Sequence, residues 1–366
     1  MKRVRLFGFA ALAALWLALI LGAWFGPTHD ISDSERRKLA QMPEITLDAI
    51  LDGKFMSKFE DFTLDQFPLR DTFRQLKARF HYDVLRQGDN NDIYVADGYA
   101  AKLEYPLNEV SVAGALDKFR YLYDSYLQDT SCKVFVSVVP DKGLYLAGKH
   151  GYPAMDYQAM FRAVEEGMDW AQFVDISTLL TASDYYRTDT HWRQEHILNV
   201  AQRLCNAMNT GAFAAGELTE MAVDRPFYGV YYGQAALPME PEEIRYLTND
   251  LLDRCTVYNF ENGKTTAIYD MEKLQSRDLY DIYLSGAASL LEITNPAATA
   301  DRELVVFRDS FGSSLIPLLV KDYASVTVVD TRYIAPDLLG QYLEFDSQDV
   351  LFLYSTLILN SSGSLK

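Results

Sequence analysis

The sequence predicts an α/β protein, with a mainly parallel sheet covered by helices on both faces and preceded by a transmembrane helix. Three observations carry this. Residues 6–25 form an uncharged apolar run of the length that crosses a bilayer. Lys133–Val139 (KVFVSVV), apolar after Lys133 except at Ser137, and Leu304–Phe307 (LVVF) read as strands buried on both faces rather than as alternating ones. From about residue 108 onward such strands alternate with helical patterns.

The elements follow in order. Lys2, Arg3 and Arg5 precede the apolar run and Asp30, Asp33 and Glu35 follow it, which favours a cytoplasmic N-terminus. The run ends Ala23-Trp24-Phe25-Gly26-Pro27 with no clear small-x-small cleavage site, so an uncleaved signal anchor is expected over residues 1–27. No cysteine lies nearby to carry a lipid. The remainder is expected outside the cytoplasm, as a single-pass membrane protein. Residues 28–107 read as a stalk and an N-terminal helical segment packing on the main domain. Within it Phe55–Val84 is amphipathic, with Phe59, Phe62 and Leu64, then Phe73, Leu76 and Phe80, at near-helical spacing and Pro68 between.

Residues 108–366 read as one α/β domain with an insertion at about 209–300. Leu116, Phe119, Tyr123 and Tyr126 share one helical face. Tyr157–Ala171, Trp192–Met208 and about 313–322 read as helices, and 173–176, 326–329 and 350–354 as strands. Residues 256–260 and 264–269, joined across Asn262-Gly263, form a hairpin.

Composition narrows the function. The chain has 366 residues, 49% of them hydrophobic, which is ample for a large core and excludes general disorder. Its net charge is -17, from 34 basic and 51 acidic residues, with no basic stripe, so nucleic-acid binding is not expected. Cys132, Cys205 and Cys255 lie far apart and form neither a zinc spacing nor a disulfide framework. No cofactor or metal is implied. A histidine-dependent mechanism must choose among His29, His81, His150, His191 and His196.

Two segments combine into chemistry. Leu304–Gly312 (LVVFRDSFG) places Ser310 just after a buried strand and just before a helix, the carboxyl end of a strand where open sheets carry their sites. A helix N-terminus there directs backbone N–H groups at a developing oxyanion. Serine is also an ordinary helix cap, so this segment alone decides nothing. Tyr185–Trp192 (YYRTDTHW) adds Asp189 and His191, one residue apart. In extended backbone both point to one side, where a carboxylate orients the imidazole that takes a serine proton. Asp189-x-His191 lacks a third ligand nearby for a metal site.

These motifs resemble the DHHW protein family, which is related to the alginate O-acetylation proteins and to SGNH-fold hydrolases. The resemblance rests on Tyr186–Trp192 and Arg308–Gly312, and on Ser34–Leu39 with Pro43. Phe59–Phe62, Asp65–Asp71, Asp97-Gly98, Pro140–Lys142, Phe227–Gly229 and Val329–Tyr333 also match. It implies a three-layer SGNH-like (flavodoxin-like) domain with Ser310 as nucleophile, His191 as general base and Asp189 as its orienting carboxylate. The chain order Asp–His–Ser is reversed relative to ordinary SGNH esterases. The sequence departs from the family at Thr190, where members commonly carry His, at Glu195-His196, where Gly-Ala is usual, and at Ser285–Ala287, where Gly-Asn is frequent.

The resemblance implies an O-acyltransferase or carbohydrate acetylesterase acting on polysaccharide or cell-wall glycan, beside a membrane-bound O-acyltransferase. The alternative is a non-catalytic polysaccharide-binding or scaffold partner of such an enzyme. The Ser310 and Gly312 N–H groups are the candidate oxyanion donors. Arg308, Tyr228, Arg332 and Lys142 are the candidate substrate contacts, against a salt bridge for the arginines, core packing for the tyrosine and a solvated surface for the lysine. Asp309 reads as a turn-holding carboxylate and Trp192 as a packing anchor.

Overall fold

The computed structural model describes residues 2–32 and 34–366. Asp33, one of the acidic residues used to orient the anchor, lies outside the described residues, as do the side chains of Lys2 and Arg3. The chain falls into two compact units, residues 1–91 with 232–238 and residues 92–231 with 239–366.

The first unit begins with helix α1, Lys2–Phe25. Its span Arg5–Phe25 has a mean hydropathy of 2.3 and is the one helix among the described residues long and apolar enough to cross a membrane. Three helices follow: α2, Leu47–Leu51, capped by the Thr46 hydroxyl, α3, Lys54–Asp65, and α4, Arg70–Arg79. α4 continues into a π-helical turn, Phe80–Val84. Pro68 separates α3 from α4, because proline disfavours helical geometry in Phe67 before it, and Leu69 enters α4 at φ 57°. Arg37 donates to both oxygens of Asp65, and Arg70 pairs with Glu35. The Arg37 hydrogen bond holds the Asp65 carboxyl below the usual carboxylate range. The motifs at 34–39 and 65–71 are therefore two halves of one ion-pair network.

The second unit is built on an eight-stranded sheet. Its strands are β1 Lys133–Val139, β2 Gln172–Phe173, β3 Thr256–Asn259, β4 Lys264–Ala267, β5 Leu290–Thr294, β6 Glu303–Arg308, β7 Ser325–Val329 and β8 Asp349–Ser355. Their spatial order is β4-β3-β5-β7-β6-β8-β1-β2. β7, β6, β8, β1 and β2 run parallel, while β5, β3 and β4 extend the sheet antiparallel. The last strand in sequence, β8, lies between β1 and β6. The predicted hairpin is β3–β4, and it joins this sheet rather than standing apart.

Alternation of side chains across the parallel strands builds two cores. Leu304 and Val306 of β6 and Leu351 and Leu353 of β8 face one. Val305, Phe307, Val350 and Phe352 face the other. Helix α5 (Glu109–Leu122, capped by Asn108) and helix α6 (Tyr157–Gly167, capped by Asp156) cover the second face through Val112, Phe119, Met160 and Val164. Helix α7 (Leu198–Met208) covers the first through Val200, Leu204 and Met208, and ends where Asn209 turns to φ 54°. The helix expected over Trp192–Met208 thus starts six residues later, and Trp192 stays in the preceding loop. That expected over 313–322 is a short helix, Gly312–Leu315, followed by 3₁₀ turns, because Pro317 cannot continue the α-helical bonding.

Candidate active site

Parallel pairing brings the ends of β1, β6 and β8 together. Ser310 follows β6 by two residues, at the carboxyl edge where open α/β sheets carry their sites. The turn is held by Asp309, which is fully buried. Its Oδ1 accepts from the Phe311 N–H at 3.0 Å and its Oδ2 from the Ser355 N–H at 2.8 Å. That carboxylate ties the serine turn to the end of β8.

The loop Tyr185–Trp192 brings in the other two groups. Tyr185 and Trp192 form an isolated antiparallel bridge. Between them Asp189 and His191 project to one side, as their spacing predicts. His191 Nε2 lies 2.8 Å from Ser310 Oγ, and His191 Nδ1 lies 2.6 Å from Asp189 Oδ1. Asp189 is fully buried and His191 is nearly so, while Ser310 is partly open. Asp189 also accepts from its neighbours: Oδ1 from the His191 N–H at 3.1 Å, Oδ2 from the Val230 N–H at 2.8 Å. A carboxylate with these donors is fixed in place and aims the imidazole at the serine.

Several supporting residues were not legible in the sequence. The Tyr280 ring stacks on His191 at 3.9 Å and 8°, with its hydroxyl 2.7 Å from Ser314 Oγ. Glu242, also buried, accepts from the Arg187 N–H, the Thr188 N–H and the Thr188 hydroxyl, each at 2.8 Å. Trp192, expected as an anchor, donates its indole N–H to Phe311 O and Ser314 Oγ, which joins the histidine loop to the serine turn. Tyr280 and Glu242 both lie in the 209–300 stretch. No local motif marks them, because their role depends on where that stretch returns to the sheet.

The candidate substrate contacts separate. Lys142 is buried rather than solvated. Its ammonium donates to Tyr186 O at 2.8 Å and Asp189 O at 2.7 Å, and it lies 5.1 Å from the centre of the Tyr231 ring. It supports the aspartate loop from beneath and does not face a cleft. Arg308 is also fully buried, 3.7 Å from Asp330 and donating to Asp309 O, with its affinity for a proton lowered by burial. Arg332 grips Asp330 through Nε and Nη2 at 2.8 and 2.6 Å. The two arginines therefore share one carboxylate, the salt-bridge alternative. Tyr228 alone of the four is well exposed, one residue before Gly229, which contacts the aspartate loop.

The oxyanion expectation changes as well. The Gly312 N–H donates to Asp309 O at 3.1 Å inside the turn, so it is already used. Glycine is required there because a Cβ would lie 2.9 Å from Arg308 Cβ. The Ser310 N–H has no acceptor among the described residues and is the donor left for an oxyanion.

Burial pushes the Lys142 ammonium down to about 7. In the unfolded chain the same group titrates near its ordinary value, about 10.4. Between these two values the unfolded state binds more protons, so stability rises with pH across that window and is lost as pH falls back through it. Above about 10 the trend reverses, because burial holds the protons of Tyr145, Tyr231 and Tyr280 more tightly than the unfolded chain does. Urea midpoints should rise from pH 7 to pH 10 (about 10) and then fall. Lys142→Met should flatten the rising limb. An unchanged slope in Lys142→Met would contradict the assignment.

Beside the same loop opens a polar cleft of about 720 Å³ that Ser310 and His191 do not line. It carries four arginines, among them Arg187 and Arg225, and five carboxylates, among them Glu242 and Asp224.

Fold and site together define a class: an SGNH-like α/β domain with a hydrogen-bonded Ser–His–Asp set at the carboxyl ends of parallel strands. The DHHW protein family model matches residues 174–329, a span containing all three groups. Among solved structures the chain is similar to a DHHW family protein from Eubacterium siraeum DSM 15702, at 20% identity over 75% of this chain and 94% of that one, with a TM-score of 0.58. It is also similar to Bacillus cereus PatB1, at 15% identity over 73% of this chain and 96% of that one, with a TM-score of 0.58. PatB1 with a sulfonyl adduct matches at 16% identity over 73% of this chain and 95% of that one, with a TM-score of 0.53. No curated protein matches the sequence.

Proposed function

We propose that this chain is a membrane-anchored, extracytoplasmic O-acyltransferase or acyl esterase acting on cell-wall or secreted polysaccharide. The carrying observation is the pair of contacts at His191, 2.8 Å to Ser310 Oγ and 2.6 Å to Asp189 Oδ1. In the first half-reaction Ser310 Oγ attacks the acyl carbonyl while His191 Nε2 takes the hydroxyl proton. The Ser310 N–H faces the developing oxyanion. Collapse expels the donor alcohol, which takes the proton from His191, and leaves an acyl-serine. In the second half an acceptor hydroxyl loses its proton to His191 and attacks the acyl-serine; collapse breaks the bond to Ser310 Oγ, which takes that proton back from His191 and restores the free serine. A sugar hydroxyl as acceptor makes the protein a transferase, and water makes it an esterase.

The polar cleft supports a neutral acceptor. Its four arginines and five carboxylates nearly cancel, so it presents no strong field for a polyanion. The orientation of the anchor, with residues 28–366 outside the cytoplasm, and a membrane-bound O-acyltransferase as acyl supplier belong to the same proposal.

The test is covalent labelling of the full chain in detergent by a fluorophosphonate. A sulfonyl adduct is recorded for PatB1, so a sulfonyl fluoride serves as a second probe. The expected result is one modified peptide carrying Ser310, absent in Ser310→Ala. A second reading, a non-catalytic glycan-binding or scaffold partner, is favoured by one observation: the Gly312 N–H is consumed in the turn. Absence of labelling by both probes would favour that reading and overturn the enzymatic one.

A further inference from the structure

Helix α4 and its π-helical extension carry an apolar stripe that stays largely open among the described residues, with Phe73 packed edge-on against Phe67. Leu69, Phe73, Leu76, Phe80 and Val84 recur at spacings that keep one helical face, and they are 68, 41, 62, 50 and 63% exposed. In a soluble helix such a face would be turned into a core. A stripe of this length left in water is unfavourable and marks an interaction surface.

Charge singles out the same segment. In a chain of net charge -17, residues 69–86 hold five basic residues, Arg70, Arg74, Lys77, Arg79 and Arg86, against two acidic ones, Asp71 and Asp83. Arg70 and Arg74 are engaged with Glu35. Lys77, Arg79 and Arg86 are exposed and have no ion partner among the described residues.

The third observation is position within the same unit. The Trp24 and Phe59 ring centres are 6.1 Å apart, and Pro68 packs so closely on Gly22 that a Cβ there would lie 3.0 Å from its Cγ. Gln66 accepts from the His29 N–H at 2.9 Å and donates to His29 O at 2.8 Å. The α3–α4 corner is thus fixed to the C-terminal end of α1. Gly22 lies three residues before Phe25, about 4.5 Å along the helix from the end of the apolar span. Leu69, next to Pro68, therefore starts the stripe at the level of the bilayer interface.

We propose that α4 and its extension lie on the membrane, with Leu69, Phe73, Leu76, Phe80 and Val84 sunk into the leaflet at the C-terminal end of α1. Lys77, Arg79 and Arg86 contact anionic lipid headgroups. The partner is the lipid surface itself, because the stripe continues the anchor's apolar surface and its flank has the sign that headgroups attract. The inference rests on α1 being a membrane anchor and is independent of the chemistry at Ser310.

The test uses the full chain in vesicles of equal parts phosphatidylcholine and phosphatidylglycerol. Cys132, the one cysteine not fully buried, is replaced by serine. Single spin-labelled cysteines are placed at Leu76, Phe80, Gln75 (off the stripe) and Leu15 (within α1). The expected result is that labels at Leu76, Phe80 and Leu15 are reached by oxygen and shielded from a water-soluble nickel chelate, while Gln75 shows the reverse. Lys77→Glu with Arg79→Glu should shift the Leu76 label toward water in these vesicles. No such shift should occur in pure phosphatidylcholine.

A lipid-buried Leu15 label with Leu76 and Phe80 in water would overturn this proposal while leaving the anchor intact. Leu76 and Phe80 labels shielded from both reagents would overturn it in favour of a protein partner or a second copy. A Leu15 label in water would overturn the anchor reading on which it rests. An unchanged Leu76 label after the charge reversal would overturn the lipid-headgroup contact.

Discussion

Ser310→Ala is expected to lower turnover of a model acetyl ester by roughly 10³-fold or more, because attack and proton transfer both depend on that hydroxyl. The fold should survive. Ser310 Oγ makes one hydrogen bond, to His191 Nε2, and the backbone carbonyl that accepts from Ser313 is retained. Removing a partly exposed hydroxyl bond of this kind costs about 1 kcal/mol. His191→Ala should cost about as much activity as Ser310→Ala. The double variant should lose little more, since groups that act as a unit are not additive. Activity of Ser310→Ala equal to wild type, at unchanged thermal stability, would show that Ser310 is not the nucleophile.

Gly229→Ala is expected to damage fold and site together. A Cβ on Gly229 would lie 2.3 Å from the N, Cα and Cβ of Asp189, a clash with backbone rather than with a flexible side chain. Something must shift, and the Val230 N–H that holds Asp189 Oδ2 belongs to the next residue along the chain. Overpacking of this kind costs about 3 kcal/mol or more when backbone must move. The displaced carboxylate also loses its alignment with His191, so activity falls in the molecules that remain folded. Gly148→Ala is the control. A Cβ there meets nothing within 4 Å, and alanine in a helical turn should leave stability level or slightly raised. Equal denaturation midpoints for the two variants would refute the close-approach argument.

Different parts of the molecule were legible for different physical reasons. β1, β6 and β8 stood out because strands buried on both faces need mainly apolar runs, and VFVSVV, LVVF and VLFLY supply them, with Ser137 the one polar residue apart from the Tyr354 hydroxyl. Asp189, His191 and Ser310 were legible because two short motifs place each group relative to its own strand or loop. The hairpin around Asn262-Gly263 was legible as a hairpin, but its place in the sheet was not. That place is set by pairing with β5, some thirty residues on, and no local pattern encodes the choice. Tyr280 and Glu242 were hidden for the same reason: their contacts span roughly 30 to 90 residues and depend on a chain path. Lys142 was misplaced because an exposed and a buried lysine look alike in sequence. The two carbonyls it serves come from another segment.

The position of β8 bears on how the molecule comes into being. β8 pairs with β1 from Asp349↔Lys133 to Ser355↔Val139, so the centre of the sheet joins segments 216 residues apart. Closing so long a loop is slow, and its entropy must be met before the pairing is rewarded. Until residue 355 has been synthesised, β1 and β6 each lack a neighbour, and their apolar edges stand open to aggregation and proteolysis. Asp309 Oδ2 also waits for the Ser355 N–H, so the serine turn sets only when the last strand docks. An incomplete chain of this topology would carry all three candidate catalytic groups yet lack the strand that brings their turn into place.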